Sequence, residues 1–294
     1  MAALVRLRLT VAYRGTDFHG WATQPGLRTI QGELETALQT LIRQPIALTV
    51  AGRTDAGVHA RAQVAHCDVP EQLLMKLARN RCLDTALQLL PRRLNALVAR
   101  NARIPGADIV VREIEPVTAA FDARFSALRR HYEYRIADAG SGFDPLTADT
   151  TWWIGGHILD IAAMHEALQH LLGEHDFLSF CKPRPGATTI RTLTTAQLTR
   201  HADHISVRLS ADAFCHSMVR SMVGAIVEVG RGRRQLSWLC NLLAAPSRTD
   251  AAPVAPAHGL TLIGVDYPPP QQWKTQQERT RRVRQPVTEN EMPR

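Results

Sequence analysis

The 294-residue sequence predicts an α/β (α+β) chain organised as two similar halves. A hydrophobic content of 45% is enough for a sizeable core. Stretches of period-two alternation recur along the chain, and stripes at helical spacing lie between them. In the first half, Val5 to Tyr13 alternates apolar and polar residues as a half-buried strand does. Ile30, Leu34, Leu38, Leu41 and Ile42 then form a helical stripe. Leu48 to Ala51 and Gln63 to Cys67 read as strands, Leu73 to Leu90 as helical, and Ile109-Val110-Val111 as the strand that closes this half. The second half repeats the theme. A strand at Tyr132 to Ile136 precedes a helix carrying Ile161, Leu168, Leu171 and Leu172, and strands follow at Thr194 to Leu198 and Ile205 to Leu209. The predicted domains are 1–115 and 116–267. Beyond Tyr267 a Pro268-Pro269-Pro270 run leads into a Gln- and Arg-rich stretch poor in apolar residues, so 268–294 is predicted to be a disordered basic tail.

The formal net charge of +8 favours a polyanionic partner, because each phosphate neutralised by a basic side chain releases counterions. Only Lys76, Lys182 and Lys274 are lysines. Arginine grips phosphate with two parallel bonds and stacks on bases, which suits RNA, although a GC-rich genome gives the same bias. The five cysteines are scattered and never in CxxC spacing, so neither a disulfide framework nor a zinc site is expected. The N-terminal MAALVRLRLT carries arginines where a signal peptide needs an apolar run, and no stretch of about 18 apolar residues occurs elsewhere. A cytoplasmic protein is expected.

The most informative segment is GRTDAGVHA, Gly52 to Ala60. It follows a short apolar strand, and Gly52 and Gly57 permit turns that a side chain would obstruct. If the backbone stays extended, Arg53 and Asp55 share a face while Thr54 points away. A guanidinium so near favours the ionised carboxylate, which suits a nucleophile or electrostatic stabiliser better than a proton donor. The alternative is a structural Arg–Asp pair in a glycine turn. A phosphate-binding loop is excluded, since no Gly-Lys followed by Ser or Thr is present.

GRTDAGVHA with Gln63-Val64 resembles the signature of the TruA family of tRNA pseudouridine synthases. Further blocks resemble that family in the same order: Tyr13-Arg14-Gly15-Thr16, Gly20-Trp21 with Gln24, Thr29-Ile30-Gln31, FDARFSA at Phe121 to Ala127, and Arg130-His131-Tyr132-Glu133-Tyr134. His175-Asp176-Phe177, Met218-Val219-Arg220 with Gly224, and Ala255 to Leu260 complete a match from about Leu7 to Tyr267. Two residues depart from the pattern: Asp122 stands where the family usually has His, and Ala22 replaces a Gln. The stretch from Arg79 to Arg103 is also unfamiliar. The resemblance implies two related, ferredoxin-like-type domains with adjoining, mostly antiparallel sheets and an active-site cleft between them. It also implies uridines at tRNA positions 38 to 40 as targets, and a homodimer in which one tRNA spans both subunits.

Two more residues enter through position and resemblance together. The segment Phe214 to Val229 is apolar around most of its circumference, leaving a narrow stripe of His216, Arg220 and Gly224. An arginine there either faces water or pairs with an anion such as Asp55 or an RNA phosphate, since an unpaired buried charge is costly. The family's Met-Val-Arg places Arg220 in the active site. Tyr132 and Tyr134 share a strand face and read as core, yet the resemblance makes Tyr132 the residue that packs on the target base. The catalytic set is therefore Asp55, Arg53, Arg220 and Tyr132. Arg53, which fills the space of the flipped nucleotide, is assigned with Tyr132, Arg61, Arg124, Arg130 and Arg191 to RNA binding.

Conversion of uridine to pseudouridine breaks the C1′–N1 bond, turns the base over and joins C1′ to C5. Nothing is added or lost, so neither metal nor cofactor is expected. Two competing readings are a noncatalytic RNA-binding protein of the same fold and a metal hydrolase using Asp55, His59 and His66, whose spacing fits no common zinc pattern.

Overall fold

The computed structural model describes residues 3–79, 82–182, 188–247 and 249–281. The chain divides into two compact units. Residues 1–128 and 261–280 make the first, and 129–260 the second. Elements of the first unit are β1 (Leu4–Tyr13), α1 (Ile30–Ile42), β2 (Thr49–Val50), β3 (His59–Pro70), α2 (Glu71–Leu77), α3 (Leu83–Val98) and β4 (Ile109–Val117). The second contains β5 (Arg129–Asp138), β6 (Trp152–Ile154), α4 (Ile161–Gln169), β7 (Gly173–Asp176), β8 (Ile190–Arg200), β9 (Ile205–Ala211), α5 (Met218–Gly230) and α6 (Leu236–Ala244). The chain then returns to the first unit through β10 (Leu260–Asp266) and α7 (Trp273–Arg281). The mixed α/β architecture with mostly antiparallel strand pairing is the one expected.

In the first unit β1 is central, antiparallel to β3 on one side and to β4 on the other. Its alternation is realised as burial: Leu7, Leu9, Val11 and Tyr13 are all buried. The far edge of β3 carries β2 antiparallel and β10 parallel, the latter at Thr261↔His59 and Leu262↔Ala60. Helix α1 is capped by Thr29, whose hydroxyl accepts the Gly32 N–H, and it buries Ile30, Leu34, Leu38 and Ile42. Helix α3 runs straight through Pro91 to Val98, beyond the Leu90 limit expected. The proline removes one intrahelical bond, but Leu90, Leu94 and Val98 continue the buried stripe, and their burial outweighs that loss. This helix accounts for much of the unfamiliar stretch between Arg79 and Arg103.

The boundaries differ from those the sequence predicts. Residues 261–267, expected in the second domain, belong to the first unit, where β10 pairs with β3. The first unit extends past 115 because the FDARFSA turn belongs to its core, where Phe121 and Ala123 cluster with Ala51, Val64 and Trp273. The start of the supposed tail is helical. Trp273 is only 6% exposed and meets Phe121 edge-on at 4.9 Å, so one large aromatic anchors a segment whose average composition is that of a solvated chain. Arg282 and Arg284 lie outside the described residues.

The second unit has the strand order β5-β9-β8-β7, with β6 parallel to β5. Helix α5 is buried nearly throughout, as its composition predicts. Strand β5 is buried on both faces, so its charged residues need internal partners: Glu133 accepts from Ser206 (2.9 Å) and Arg208 (3.2 Å), and Asp138 is clasped by Arg200.

Candidate active site

The Asp55 loop, residues 51–58 between β2 and β3, is shaped by the segment from Tyr13 to Trp21. Gly15 lies so close to it that a Cβ there would fall 2.0 Å from the Val58 carbonyl oxygen, and the Gly15 N–H donates to His59 Nδ1 at 3.0 Å. Gly20, in the left-handed region at φ +87°, brings its backbone against Thr54, Asp55 and Ala56, with 2.8 Å from a notional Cβ to the Thr54 oxygen. The Trp21 N–H donates to the Thr54 carbonyl (3.0 Å), and the Gly57 N–H to that of Phe18 (3.3 Å). Inside the loop the Val58 N–H closes onto the Asp55 carbonyl, helped by a positive φ at Gly57.

This clamping segment is itself tied down. The first N–H groups of α1, which have no partners within the helix, donate from Ile30 to Gly20 and from Gln31 to Trp21. Arg28 lies over the Phe18 ring at 4.1 Å and forks onto Asp108 at 2.8 and 3.0 Å. Within the loop, exposure alternates as expected. Arg53 is exposed, Thr54 buried and Asp55 half-buried.

Among the other first-unit candidates, Arg61 on β3 and Arg124 are exposed. Arg124 lies beside Phe125 in a turn capped by Asp122, whose Oδ1 accepts the N–H groups of Arg124 and Phe125, both at 2.8 Å. That is the role taken by the aspartate that departs from the family pattern. His59 and His66 each use Nδ1 to accept a backbone N–H, from Gly15 and from Ala123. Burial, the largest influence, pushes the His66 pKa down and favours this neutral, accepting ring.

In the second unit, the 253–259 segment does for Arg220 what the Tyr13–Trp21 segment does for Asp55. Arg220 stands in the first turn of α5. Its Nε donates to the Ala255 carbonyl at 2.7 Å, and the Ala255 N–H donates back to the Arg220 carbonyl at 3.0 Å. Four residues along the helix, Gly224 admits this segment, since a Cβ would sit 2.1 Å from the Pro253 oxygen. Tyr134 completes the arrangement: its hydroxyl donates to Pro256 at 2.7 Å, and Gly259 lies on its ring. Burial raises the Tyr134 phenol well above its ordinary range, with Arg220 pulling the other way. Tyr132 is 9% exposed and meets Phe214 edge-on at 5.2 Å.

Arg130 is buried, with Nη1 donating to the Asp212 carbonyl at 2.6 Å, and Arg191 is half-buried, donating to its neighbour Ile190. Next to it, Cys215 has its thiol pKa lowered to about 7, first by a hydrogen bond from Cys181 and then by the Arg191 charge. Arg53, Asp55, Arg61 and Arg124 thus belong to the first unit, and Arg130, Tyr132, Arg191 and Arg220 to the second. Tyr13, Gly15, Gly20 and Ala255 lie in the blocks that resemble the family, and the sequence assigns them no task. For Gly15 and Gly20 the signal is a residue without a side chain where another backbone comes close, and nothing in the local sequence marks Tyr13.

A model of tRNA pseudouridine synthases matches residues 167–268. The chain is 49% identical over 288 residues to tRNA pseudouridine synthase A of Frankia casuarinae, covering 97% of each chain. The chain belongs to the tRNA pseudouridine synthase A family. Similar relatives are found in Leifsonia xyli subsp. xyli (49% identity, 95% of this chain and 97% of the relative) and Mycobacterium leprae (48%, 90% of each). As a member of a pseudouridine synthase family the chain is an isomerase. Among the described residues, no helix is long and apolar enough to cross a membrane, and no cluster of three metal-ligating side chains occurs.

Proposed function

We propose that this chain isomerises uridine to pseudouridine in the anticodon stem-loop of tRNA, at positions 38 to 40, with Asp55 as the catalytic nucleophile. The observation that carries this reading is the clamped loop: a half-buried carboxylate, beside an exposed arginine, whose backbone is held from the Tyr13–Trp21 side by repeated main-chain contacts. Such pre-ordering lets a group act on a reacting centre without reorganising first.

The reaction needs a group that stabilises the reacting nucleoside as C1′–N1 breaks, and surroundings that retain the uracil while it turns. Asp55 supplies the first. Tyr132 packs on the base, Arg220 supplies positive charge to the reaction, and Arg53 occupies the space vacated by the flipped nucleotide. Arg61 and Arg124, being exposed, meet the RNA backbone directly. Arg130 and Arg191 contribute to RNA binding partly by shaping the segments around them. The working form is a cytoplasmic homodimer, following the family resemblance.

The test is chemical mapping of pseudouridine in an unmodified tRNA incubated with wild type and with Asp55→Asn. New pseudouridine at positions 38 to 40 with wild type alone supports the reading. Activity retained by Asp55→Asn, or modification confined to another arm, overturns it.

A further inference from the structure

Beneath the Asp55 loop runs a row of buried side chains that the isomerisation chemistry leaves without a task. Gln63 is fully buried, and its Nε2 donates to the Gly52 carbonyl (2.8 Å) and to the Tyr13 hydroxyl (3.3 Å). The Tyr13 hydroxyl is 2.8 Å from Thr54 Oγ1. The phenol oxygen accepts from Gln63 and shares a second hydrogen bond with the threonine hydroxyl, in which either group can donate. Burial pushes the Tyr13 pKa up to about 12, so the phenol keeps its proton at any pH near neutrality. The row therefore grips Gly52 and Thr54, the two neighbours of Arg53, and Thr54 is also the residue before Asp55.

We propose that Tyr13 is a positioning residue for the reaction: its hydroxyl, acting through Thr54, sets the direction in which Arg53 and Asp55 project. The proposal rests on the reading of Asp55 as the catalytic carboxylate. Residues on either side of an inward-held side chain are turned the other way, so anchoring Thr54 orients both functional neighbours at once. The main-chain bonds to Thr54 and Gly57 hold the loop's backbone, and the Tyr13 contact adds a hold on the Thr54 side chain. Without the phenol, Thr54 Oγ1 is left buried and short of a partner, and the loop relieves this by rotating toward water. A displacement of about 1 Å at a reacting group is enough to slow a reaction severely.

The experiment measures steady-state kinetics on unmodified tRNA for Tyr13→Phe, Thr54→Val, Thr54→Ser, the double variant Tyr13→Phe/Thr54→Val, and Ile42→Val as a stability control in the same unit. Tyr13→Phe and Thr54→Val are each expected to lower kcat by about tenfold or more with KM for tRNA within about twofold of wild type. The double variant should be no slower than either single one, because both remove the same bond. Thr54→Ser, which keeps the hydroxyl, should recover most of the rate, and Ile42→Val should lower Tm while keeping kcat. Wild-type kcat in Tyr13→Phe, a change confined to KM, or an equal loss in Ile42→Val overturns the positioning role. Asp55→Asn run in parallel separates the two readings: if it is inactive while Tyr13→Phe is fully active, the positioning role alone falls, and if it is fully active, both fall.

Discussion

The Asp55 loop and the Arg220 turn solve the same problem by different means. The loop is held mainly through its own backbone, by the Trp21 N–H on the Thr54 carbonyl, by the Gly57 N–H on the Phe18 carbonyl and by two glycines that let main chains touch. Arg220 is held through its side chain, whose Nε is bound by the Ala255 carbonyl, on a helix buried almost all round. A short side chain such as Asp follows its backbone, so fixing the loop fixes the carboxylate. A long one such as Arg has several free torsions and must be caught near its end.

The largest effect is expected at the carboxylate itself. Asp55→Asn should lower turnover by roughly a thousandfold or more while leaving the circular dichroism spectrum unchanged and tRNA affinity mostly intact. A residual rate within tenfold of wild type would show that the loop presents something other than its acid.

The comparison sharpens with alanine at the two close approaches. In Gly20→Ala the new methyl meets backbone and the residue must keep a positive φ, so we expect a loss of about 1–3 kcal/mol in stability. Turnover should fall with it. In Gly224→Ala the methyl meets the Pro253 carbonyl, so the 253–259 segment must move and release the Arg220 head. That variant should lose turnover by about tenfold or more, and an arginine held by its helix alone would keep it. Thermal melts with single-turnover rates on both variants give the answer.

A smaller effect concerns pH. His66 must be neutral to accept the Ala123 N–H, and its folded pKa lies below the ordinary value of about 6.5. A base held neutral in this way adds stability at higher pH and loses it as pH falls through the interval between those two values. The unfolding free energy should therefore decline below about pH 6.5, by at most about 1.4 kcal/mol per pH unit for one proton. His66→Gln should flatten that slope. An unchanged slope would assign it elsewhere.

The smallest is Tyr134→Phe, which removes one hydrogen bond, to Pro256, from the segment that holds Arg220. About 1 kcal/mol of stability and a few-fold loss in rate are expected. If the rate is untouched, the Ala255 contact alone holds the arginine.

Much of the fold was readable in advance wherever one face of an element is apolar. Strand β1 and helices α1 and α5 follow their patterns closely, because burial of a single stripe dominates their energetics. Reading failed at Pro91 and at Trp273 for a shared reason. A local rule, the helix-breaking proline or the solvated composition of a tail, was overridden by a few apolar residues finding partners far along the chain, as Trp273 finds Phe121. Arg130 shows the same limit from the polar side. Nothing nearby in sequence marks a buried arginine bound to the Asp212 carbonyl.

Local residue order by itself determined the strand and helix periods, the basic charge and the glycine-flanked carboxylate at Asp55, since each depends on neighbours a few positions apart. Only the tertiary structure decided that Tyr13 and Gln63 support Thr54, that Ala255 holds Arg220, and that a C-terminal helix completes the first unit. Those contacts join residues separated by tens to more than a hundred positions, and such pairs become neighbours only after the strands have chosen their partners and the apolar faces have closed on one another.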